Sequence, residues 1–95
     1  MEVKHVDERE YGFFQILEKA DPIGKIEYNY QGPTAINIKN TEVDSAHEGQ
    51  SLGKKLVKYV MDFVKEKNLK LSVDCPFAKA IIHKNPEYQK MLSED

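Results

Sequence analysis

A glycine-bearing turn between a strand-like and a helical segment carries the strongest chemical signal in this sequence. The turn reads HEGQSLGKK over residues 47–55, after a strand-like run at 34–43 and at the start of a helical run at 52–67. The first amides of a helix have no intrahelical partner, and the helix dipole adds positive charge there. The backbone amides of this turn are therefore predicted to bind a phosphate group.

Three lysines follow the turn and strengthen this interpretation. Cations are normally disfavoured in the first turn of a helix, so Lys54, Lys55 and Lys58 indicate that an anion binds nearby. The alternative is that Gly49 and Gly53 are ordinary turn and packing glycines, and that the lysines form a solvated helix face.

Cys75 is the side chain with the widest range of possible chemistry. It directly precedes Pro76, a residue favoured at the first position of a helix. A thiol at a helix N-terminus can act as a nucleophile that accepts an acyl group, or as an acid that returns a proton to a departing thiolate. The alternative is a small buried hydrophobe, and the neighbouring Asp74 opposes thiolate formation.

Two further residues are candidates for proton transfer. Glu42 lies on the strand before the glycine turn and could act as a general base, and His47 could assist deprotonation of an acceptor. The competing interpretations are a surface carboxylate and an exposed loop histidine. Cys75 with His5, His47 and His83 has no metal-ligand spacing, so no metal site is predicted.

Length and composition predict one ordinary globular domain over residues 1–95. The net charge of −2 argues against general nucleic-acid binding. A single cysteine excludes an internal disulfide, and no stretch resembles a secretory signal, so we expect a cytoplasmic protein. The most apolar stretch, Leu56–Val64, is interrupted by Lys58 and Asp62, which indicates a core helix and no membrane span.

The first half of the chain predicts antiparallel strands. Residues 11–17 are aromatic and β-branched, and residues 24–30 alternate between apolar and polar side chains. Asp21-Pro22 and Gly32-Pro33 are predicted turns, the second of which leads into a strand at 34–43. Short turns between consecutive strands imply antiparallel pairing.

The second half predicts a strand–helix–strand unit. A helix from Leu52 ends at Asn68, a strand covers residues 69–73, and a second helix runs from Pro76 to about Lys84. Such a connection makes a right-handed crossover and a parallel strand pair. The predicted fold is an α/β (α+β) domain in which an antiparallel meander ends in one βαβ unit with a C-terminal helix.

Two motifs resemble those of the small, single-domain branch of the GNAT superfamily of N-acetyltransferases. Residues 48–53, EGQSLG, resemble the pyrophosphate loop of this superfamily, and CPFAK at 75–79 leading to NPEY at 85–88 resembles the C-terminal signature of the small branch. The chain differs from the superfamily pattern at three places. Glu48 stands where Arg or Gln is usual, Ser51 stands where Gly is usual, and residues 81–83 lack the tyrosine that protonates the departing thiolate.

These differences leave alternatives open at the loop. Glu48 would repel a pyrophosphate if its side chain pointed inward, so either the side chain points away while the amide still binds, or Gln50 takes over. Ser51 can replace glycine only if its backbone angles are ordinary.

The resemblance also implies how acetyl-CoA would bind. The strands at 34–43 and 69–74 would splay apart and admit the pantetheine arm, and the amides of residues 49–54 would hold the pyrophosphate. A backbone N–H near Val43 would polarise the thioester carbonyl. The implied cofactor-binding residues are Val43, Glu48, Gly49, Gln50, Ser51, Leu52, Gly53, Lys54, Lys55 and Phe77.

The implied function is transfer of an acetyl group from acetyl-CoA to an amine of a small molecule, a protein lysine or a protein N-terminus. The alternatives are an acyl-CoA-binding module with little or no catalysis, and a protein-interaction domain that binds no CoA. The expected partners are acetyl-CoA and an unknown amine acceptor, without nucleic acid, membrane or metal, in a monomer or weak homodimer.

Overall fold

The computed structural model describes residues 1–92, without the side chains of residues 48–50. The described residues form five strands and three α-helices, in the predicted order apart from two unpredicted elements, a strand at the start and a short helix at the end. The strands are β1 Glu2–Asp7, β2 Tyr11–Glu18, β3 Asp21–Tyr30, β4 Ala35–Val43 and β5 Lys70–Val73. The helices are α1 Leu52–Lys67, α2 Pro76–His83 and α3 Pro86–Gln89, with a 3₁₀-helix at Ser45–Gln50.

The strands form one sheet in the order β1-β2-β3-β4-β5. Neighbours from β1 to β4 are antiparallel, and β4 pairs with β5 in parallel. The predicted meander that ends in one βαβ unit is therefore confirmed. β1 was not predicted, because its sequence EVKHVD is charged and lies almost entirely exposed at the edge of the sheet.

The turn between β2 and β3 differs from its prediction. Asp21 and Pro22 are the first residues of β3, and the turn lies at Lys19 and Ala20. Both have positive φ, 50° and 70°, between the paired residues Glu18 and Asp21. This is the backbone of a two-residue hairpin turn, for which Asn-Gly is the usual sequence signal. Lys-Ala lacks that signal, so the turn could not be predicted from the sequence.

The helices pack on one face of the sheet and form a single core. Along β3 and β4, alternate side chains face the helices, and Ile26, Tyr28, Ile36 and Ile38 are fully buried. Along α1, an apolar stripe at helical spacing is buried at Leu52, Leu56, Val60 and Val64, whereas Phe63 is only partly buried. Asn68 ends α1 in the left-handed conformation, with φ 54°, which its side chain tolerates. No helix within residues 1–92 is long and apolar enough to cross a membrane.

A β-bulge in β4 changes which side chains face the helices. Glu27 pairs with Asn40 and Tyr28 pairs with Ile38, so Lys39 is an extra residue on β4. An extra residue reverses the alternation that follows it. Thr41 and Val43 therefore continue the core-facing side begun by Ile38.

β4 and β5 separate at their C-terminal ends. Their pairing stops at Ile38 and Val73, whereas β4 continues as far as Val43. The Asp74 and Cys75 N–H groups both donate to the Ile38 carbonyl, and the chain then turns away into α2. Within residues 1–92, no strand lies beside the last residues of β4 on that side, as the predicted splay requires.

Candidate functional site

A cavity of about 800 Å³ lies where the free end of β4 meets the start of α1 and one face of α2. Each of the three elements contributes part of its lining. The lining residues are Thr41, Glu42, Val43, Ser51, Gly53, Lys54, Phe77, Ala80, Ile81 and Lys84.

The backbone of β4 presents a donor to this cavity. The Asp44 N–H donates to the Ile23 carbonyl on the β3 side at 2.9 Å. Successive N–H groups of an extended chain point to alternate sides. The Val43 N–H therefore points away from β3, into the gap between β4 and β5. This is the direction in which it could polarise a carbonyl in the cavity.

Ser51 begins α1 in a strained backbone conformation. Its φ is 58° and its ψ is 28°, the left-handed region, and its side chain makes no capping hydrogen bond. For a residue other than glycine this conformation costs about 1–2 kcal/mol. The condition that Ser51 should have ordinary backbone angles is therefore not met, and the position is one that favours glycine.

The three residues before Ser51 lie in the 3₁₀-helix Ser45–Gln50. The predicted roles of Glu48, Gly49 and Gln50 in holding a pyrophosphate, mainly through backbone amides, are not tested by the structure, and the side chains at positions 48–50 lie outside its described part. They stay predictions.

Gly53 is packed against an aromatic ring. A Cβ atom at this position would lie 2.2 Å from Cζ of Phe77. Phe77 is 49% exposed and lines the cavity beside Gly53. The missing side chain lets the ring cover the first turn of α1, so Gly53 has the packing role that the sequence left open and also borders the cavity. Leu52 is fully buried in the core, which leaves only its backbone for a ligand.

Lysines gather in a hollow of about 440 Å³ that shares residues with the cavity. Lys54, Lys55 and Lys58 of α1 line it together with Lys84 at the end of α2. Lys58 also donates to Asp62 at 2.9 Å, and this hydrogen bond raises the pKa of Lys58. Lys54 and Lys84 border both the cavity and the hollow. Lysines from α1 and from the end of α2 thus concentrate positive charge in this hollow.

Cys75 caps the N-terminus of α2, as predicted, but its thiol is enclosed. The residue is 5% exposed and is not among the residues that line the cavity. Its Sγ donates to Oγ1 of Thr41 at 3.4 Å. Thr41, in contrast, lines the cavity directly.

The two predicted proton-transfer residues lie in different places. Glu42 lines the cavity, and its Oε1 accepts a hydrogen bond from Asn40 at 3.1 Å. His47 lies outside the lining, with Nδ1 3.1 Å from Asp44 and Nε2 3.4 Å from Glu18. These contacts connect the 3₁₀-helix to the β2–β3 hairpin. Glu42 thus borders the cavity with its side chain on the face of β4 opposite to Thr41 and Val43, and His47 is held away from the cavity.

Four lining residues were absent from the predicted site. Ala80, Ile81 and Lys84 follow Phe77 on one face of α2, at spacings of three, four and seven residues. That helical spacing could have identified them. Thr41 stands two residues before Val43 and shares its face of β4, a relation that strand alternation also predicts.

Within residues 1–92, no three His, Cys, Asp or Glu side chains come close enough together to hold a metal ion. The described groups at the cavity are an amide donor, a hydroxyl with a thiol behind it, a carboxylate and lysines.

Comparison with known proteins identifies the class to which this fold and site belong. Residues 13–91 match the family described as GCN5-related N-acetyl-transferase, and the chain belongs to this family. The fold and the family match both support acetyltransferase activity.

Particular relatives resemble the chain to different extents. A GCN5-like protein from Staphylococcus aureus, solved by NMR, matches 97% of this chain and 89% of its own length, with a TM-score of 0.69 and 28% identity. Tetrahymena GCN5 shares the fold, with a TM-score of 0.67 at 19% identity over 93% of this chain and 63% of its own. Protein NATD1 of Danio rerio is 36% identical over 62 residues, 65% of this chain and 56% of NATD1. The chain spans about half the length of the curated relatives it matches.

Proposed function

We propose that this protein transfers the acetyl group of acetyl-CoA to an amine, carried by a small molecule, a protein lysine or a protein N-terminus. The observation that carries the proposal is the cavity at the separated ends of β4 and β5. An amide donor, a helix N-terminus and two lysines converge on it.

Two parts of acetyl-CoA, the pantetheine arm with its thioester and the pyrophosphate, have a candidate surface at this cavity. The pantetheine arm fits beside the unpaired edge of β4, with the thioester near the Val43 N–H. The pyrophosphate fits the first amides of α1, where the helix dipole favours negative charge. Lys54 and Lys84 add electrostatic attraction for the phosphates, and Phe77 offers an apolar contact.

The reaction itself needs little covalent help from the protein. The amine attacks the thioester carbon, and the Val43 N–H stabilises the oxyanion that forms. The intermediate then collapses, the carbon–sulfur bond breaks and the CoA thiolate accepts a proton. Positioning the two reactants contributes several kcal/mol to lowering the barrier. Glu42 at the cavity can accept the proton that the amine loses.

The runner-up function is an acyl-CoA-binding module without catalysis. One observation favours it, namely that the Cys75 sulfur is enclosed and does not line the cavity. Both functions predict CoA binding and differ in turnover. The third possibility, a pure interaction domain, predicts no CoA binding.

Two measurements separate these functions. CoA and acetyl-CoA should raise the melting temperature as binding saturates, because each stabilises the folded state alone. Thiol release from acetyl-CoA should accelerate with at least one amine from a panel of spermidine, glucosamine and a lysine peptide with a free N-terminus. A melting curve that acetyl-CoA does not move would contradict the proposal.

Charge reversal gives the binding test a matched control. Lys54→Glu with Lys84→Glu should weaken CoA binding and reduce its dependence on salt. Lys65→Glu with Lys67→Glu makes the same charge change at the far end of α1 and should leave affinity nearly unchanged. Equal effects of the two pairs would mean that only overall charge matters.

A further inference from the structure

The enclosed thiol of Cys75 has a polar route to the cavity through one neighbouring hydroxyl. We propose that Thr41 is a catalytic residue, which gives its hydroxyl proton to the departing CoA thiolate and is resupplied by Cys75. This inference rests on the acetyl transfer proposed above. It assigns a proton donor in a chain that lacks the tyrosine expected near residues 81–83.

The first support is the position of the two side chains. Cys75 is 5% exposed and absent from the cavity lining, so its sulfur does not face a ligand directly. Thr41 lines the cavity and is only partly buried. Their contact, from Cys75 Sγ to Thr41 Oγ1, is 3.4 Å. A proton that leaves the thiol towards the cavity therefore passes through the threonine hydroxyl.

The second support is the hydrogen-bonding capacity of a hydroxyl. A threonine hydroxyl donates one hydrogen bond and accepts up to two. Because the thiol donates to Oγ1, the hydroxyl proton of Thr41 remains available for another acceptor. Thr41 forms no other side-chain hydrogen bond among the described residues. The cavity is the space that borders it on the remaining side.

The third support is the β-bulge at Lys39. Without this extra residue, the alternation of β4 would turn Asn40 towards the helices and Thr41 towards the opposite face. The bulge instead places Thr41 and Val43 on the cavity side, two residues apart. One strand end thereby presents a donor for the developing oxyanion and a donor for the leaving sulfur.

The proton transfer balances without any further reactant than water. When the carbon–sulfur bond breaks, its electron pair stays on the CoA sulfur, which takes the Thr41 proton. The Thr41 oxygen takes the proton of the Cys75 thiol, and the Cys75 thiolate regains a proton from solvent water. The acetylated amine releases its surplus proton to a base or to solvent, so the net products are the amide and CoA thiol.

This route assigns Cys75 the role of acid and leaves no direct role for it as nucleophile. A nucleophile must approach the reacting carbon to within about 3–3.5 Å. The sulfur lies behind Thr41 and outside the lining, whereas a relayed proton requires only the observed contact.

The test compares two substitutions at Thr41 on the full chain. Thr41→Val keeps the shape of the side chain and removes the hydroxyl, so turnover with the best amine of the panel should fall about tenfold or more. Thr41→Ser keeps the hydroxyl and should retain activity within about a factor of three. Thr34→Val is the matched control, since Thr34 is exposed in the turn just before β4, far from the cavity end of that strand.

A double variant distinguishes a relay from two separate contributions. Residues that act in one chain are strongly non-additive. Thr41→Val with Cys75→Ala should therefore lose no more turnover than the more damaging single variant. The stabilisation by CoA should be unchanged in every variant.

Full activity of Thr41→Val, or losses that multiply in the double variant, would overturn the relay while the proposed transferase stands. Wild-type protein that binds CoA and acetylates none of the amines would overturn the transferase and the relay together. If Thr41→Val lost CoA stabilisation as well, Thr41 would be a binding residue and the relay would be wrong.

Discussion

Two clusters of polar groups in this fold are built in opposite ways. On one side of the sheet, Tyr28 and Tyr30 of β3 donate to the same Asp7 oxygen of β1 at 2.8 Å and 2.7 Å, and His5 Nε2 lies 2.8 Å from the Tyr28 hydroxyl. At the separated ends of β4 and β5, the thiol of Cys75 has one long contact and the surrounding groups border a cavity. The polar groups of the first cluster hydrogen-bond to one another, and we call it the closed cluster in this sense, since His5 and Asp7 also border a hollow of about 460 Å³. Apart from the contact of Cys75 with Thr41, the described groups of the second cluster face the cavity without such mutual pairing.

The closed cluster contains the more strongly perturbed groups. Burial, with a hydrogen bond to Asp7, raises the pKa of Tyr30 to about 12 and raises that of Tyr28 further. Burial also lowers the pKa of His5. Perturbed titration is a common sign of an active site, and structural networks produce it too. The strongly perturbed groups of the closed cluster are therefore explained by burial and mutual hydrogen bonds, and perturbation alone does not single out the proposed site at the end of β4.

Gly12 should produce the largest effect on the closed cluster. The Tyr28 ring crosses β2 above Gly12, where a Cβ atom would lie 2.3 Å from the Tyr28 hydroxyl and 2.7 Å from the Val6 carbonyl. Gly12→Ala should therefore lower the free energy of unfolding by about 2–3 kcal/mol, as overpacking typically does. Urea unfolding measures this. CoA affinity of the folded variant should not change, and a parallel loss of affinity would show that the two clusters are coupled.

Cys75 should produce the largest effect on turnover. Cys75→Ala should lower turnover at least about tenfold, since acid–base assistance usually contributes more than that, and should leave CoA binding intact. Cys75→Ser separates the two roles of the thiol, because a serine hydroxyl can still pass a proton but is a far weaker nucleophile. Retained activity in the serine variant supports the acid. Acetylated Cys75, found by mass spectrometry after incubation with acetyl-CoA alone, would instead establish a covalent route.

Ser51 should reveal strain at the start of α1. Ser51→Gly should raise the free energy of unfolding by roughly 1 kcal/mol, because glycine adopts the left-handed backbone without the steric cost that serine bears. Asn68→Gly at the other end of α1 is the matched control with nearly the same φ of 54°. Asparagine tolerates this conformation, so the control should gain less. An equal gain at both positions would indicate that the strain at Ser51 is not specific to serine.

His5 should give the smallest and most gradual effect. Its folded pKa lies below the ordinary value of 6.5 because of burial. The unfolded chain therefore takes up a proton that the folded chain does not, and stability present above pH 6.5 falls as the pH decreases towards the folded pKa. Urea unfolding at successive pH values should show this slope. His5→Gln should flatten it, and an unchanged slope would assign it to other groups.

Local patterns were enough to predict most of the fold. Alternation identified β3, and the helical stripe from Leu52 to Val64 together with Asn68 gave both ends of α1. β1 was not predicted, because an exposed, charged edge strand shows little hydrophobic alternation and forms by pairing with β2. The hairpin turn at Lys19 and Ala20 was not predicted, because lysine and alanine rarely adopt the positive φ angles that they have here.

The cavity was harder to predict, because it depends on contacts between distant parts of the chain. Gly53, Lys54 and Phe77 were identified from the motifs, and the structure brings all three to the lining. The bulge at Lys39 depends on the register between β3 and β4, and the contact between Thr41 and Cys75 joins residues 34 positions apart. Neither relation is visible in a local pattern. Together they place Thr41 and Val43, at the end of β4, in the wall of the cavity.

An NMR titration of backbone amides with acetyl-CoA tests where the cofactor binds. We expect the largest saturable shifts at Val43 and at residues 52–54, because these amides face the thioester and the pyrophosphate in the proposed complex. The amide signals of His5, Asp7, Tyr28 and Tyr30 should not shift. Shifts centred on that closed cluster, or the absence of saturable shifts at the β4 end and the start of α1, would contradict the account.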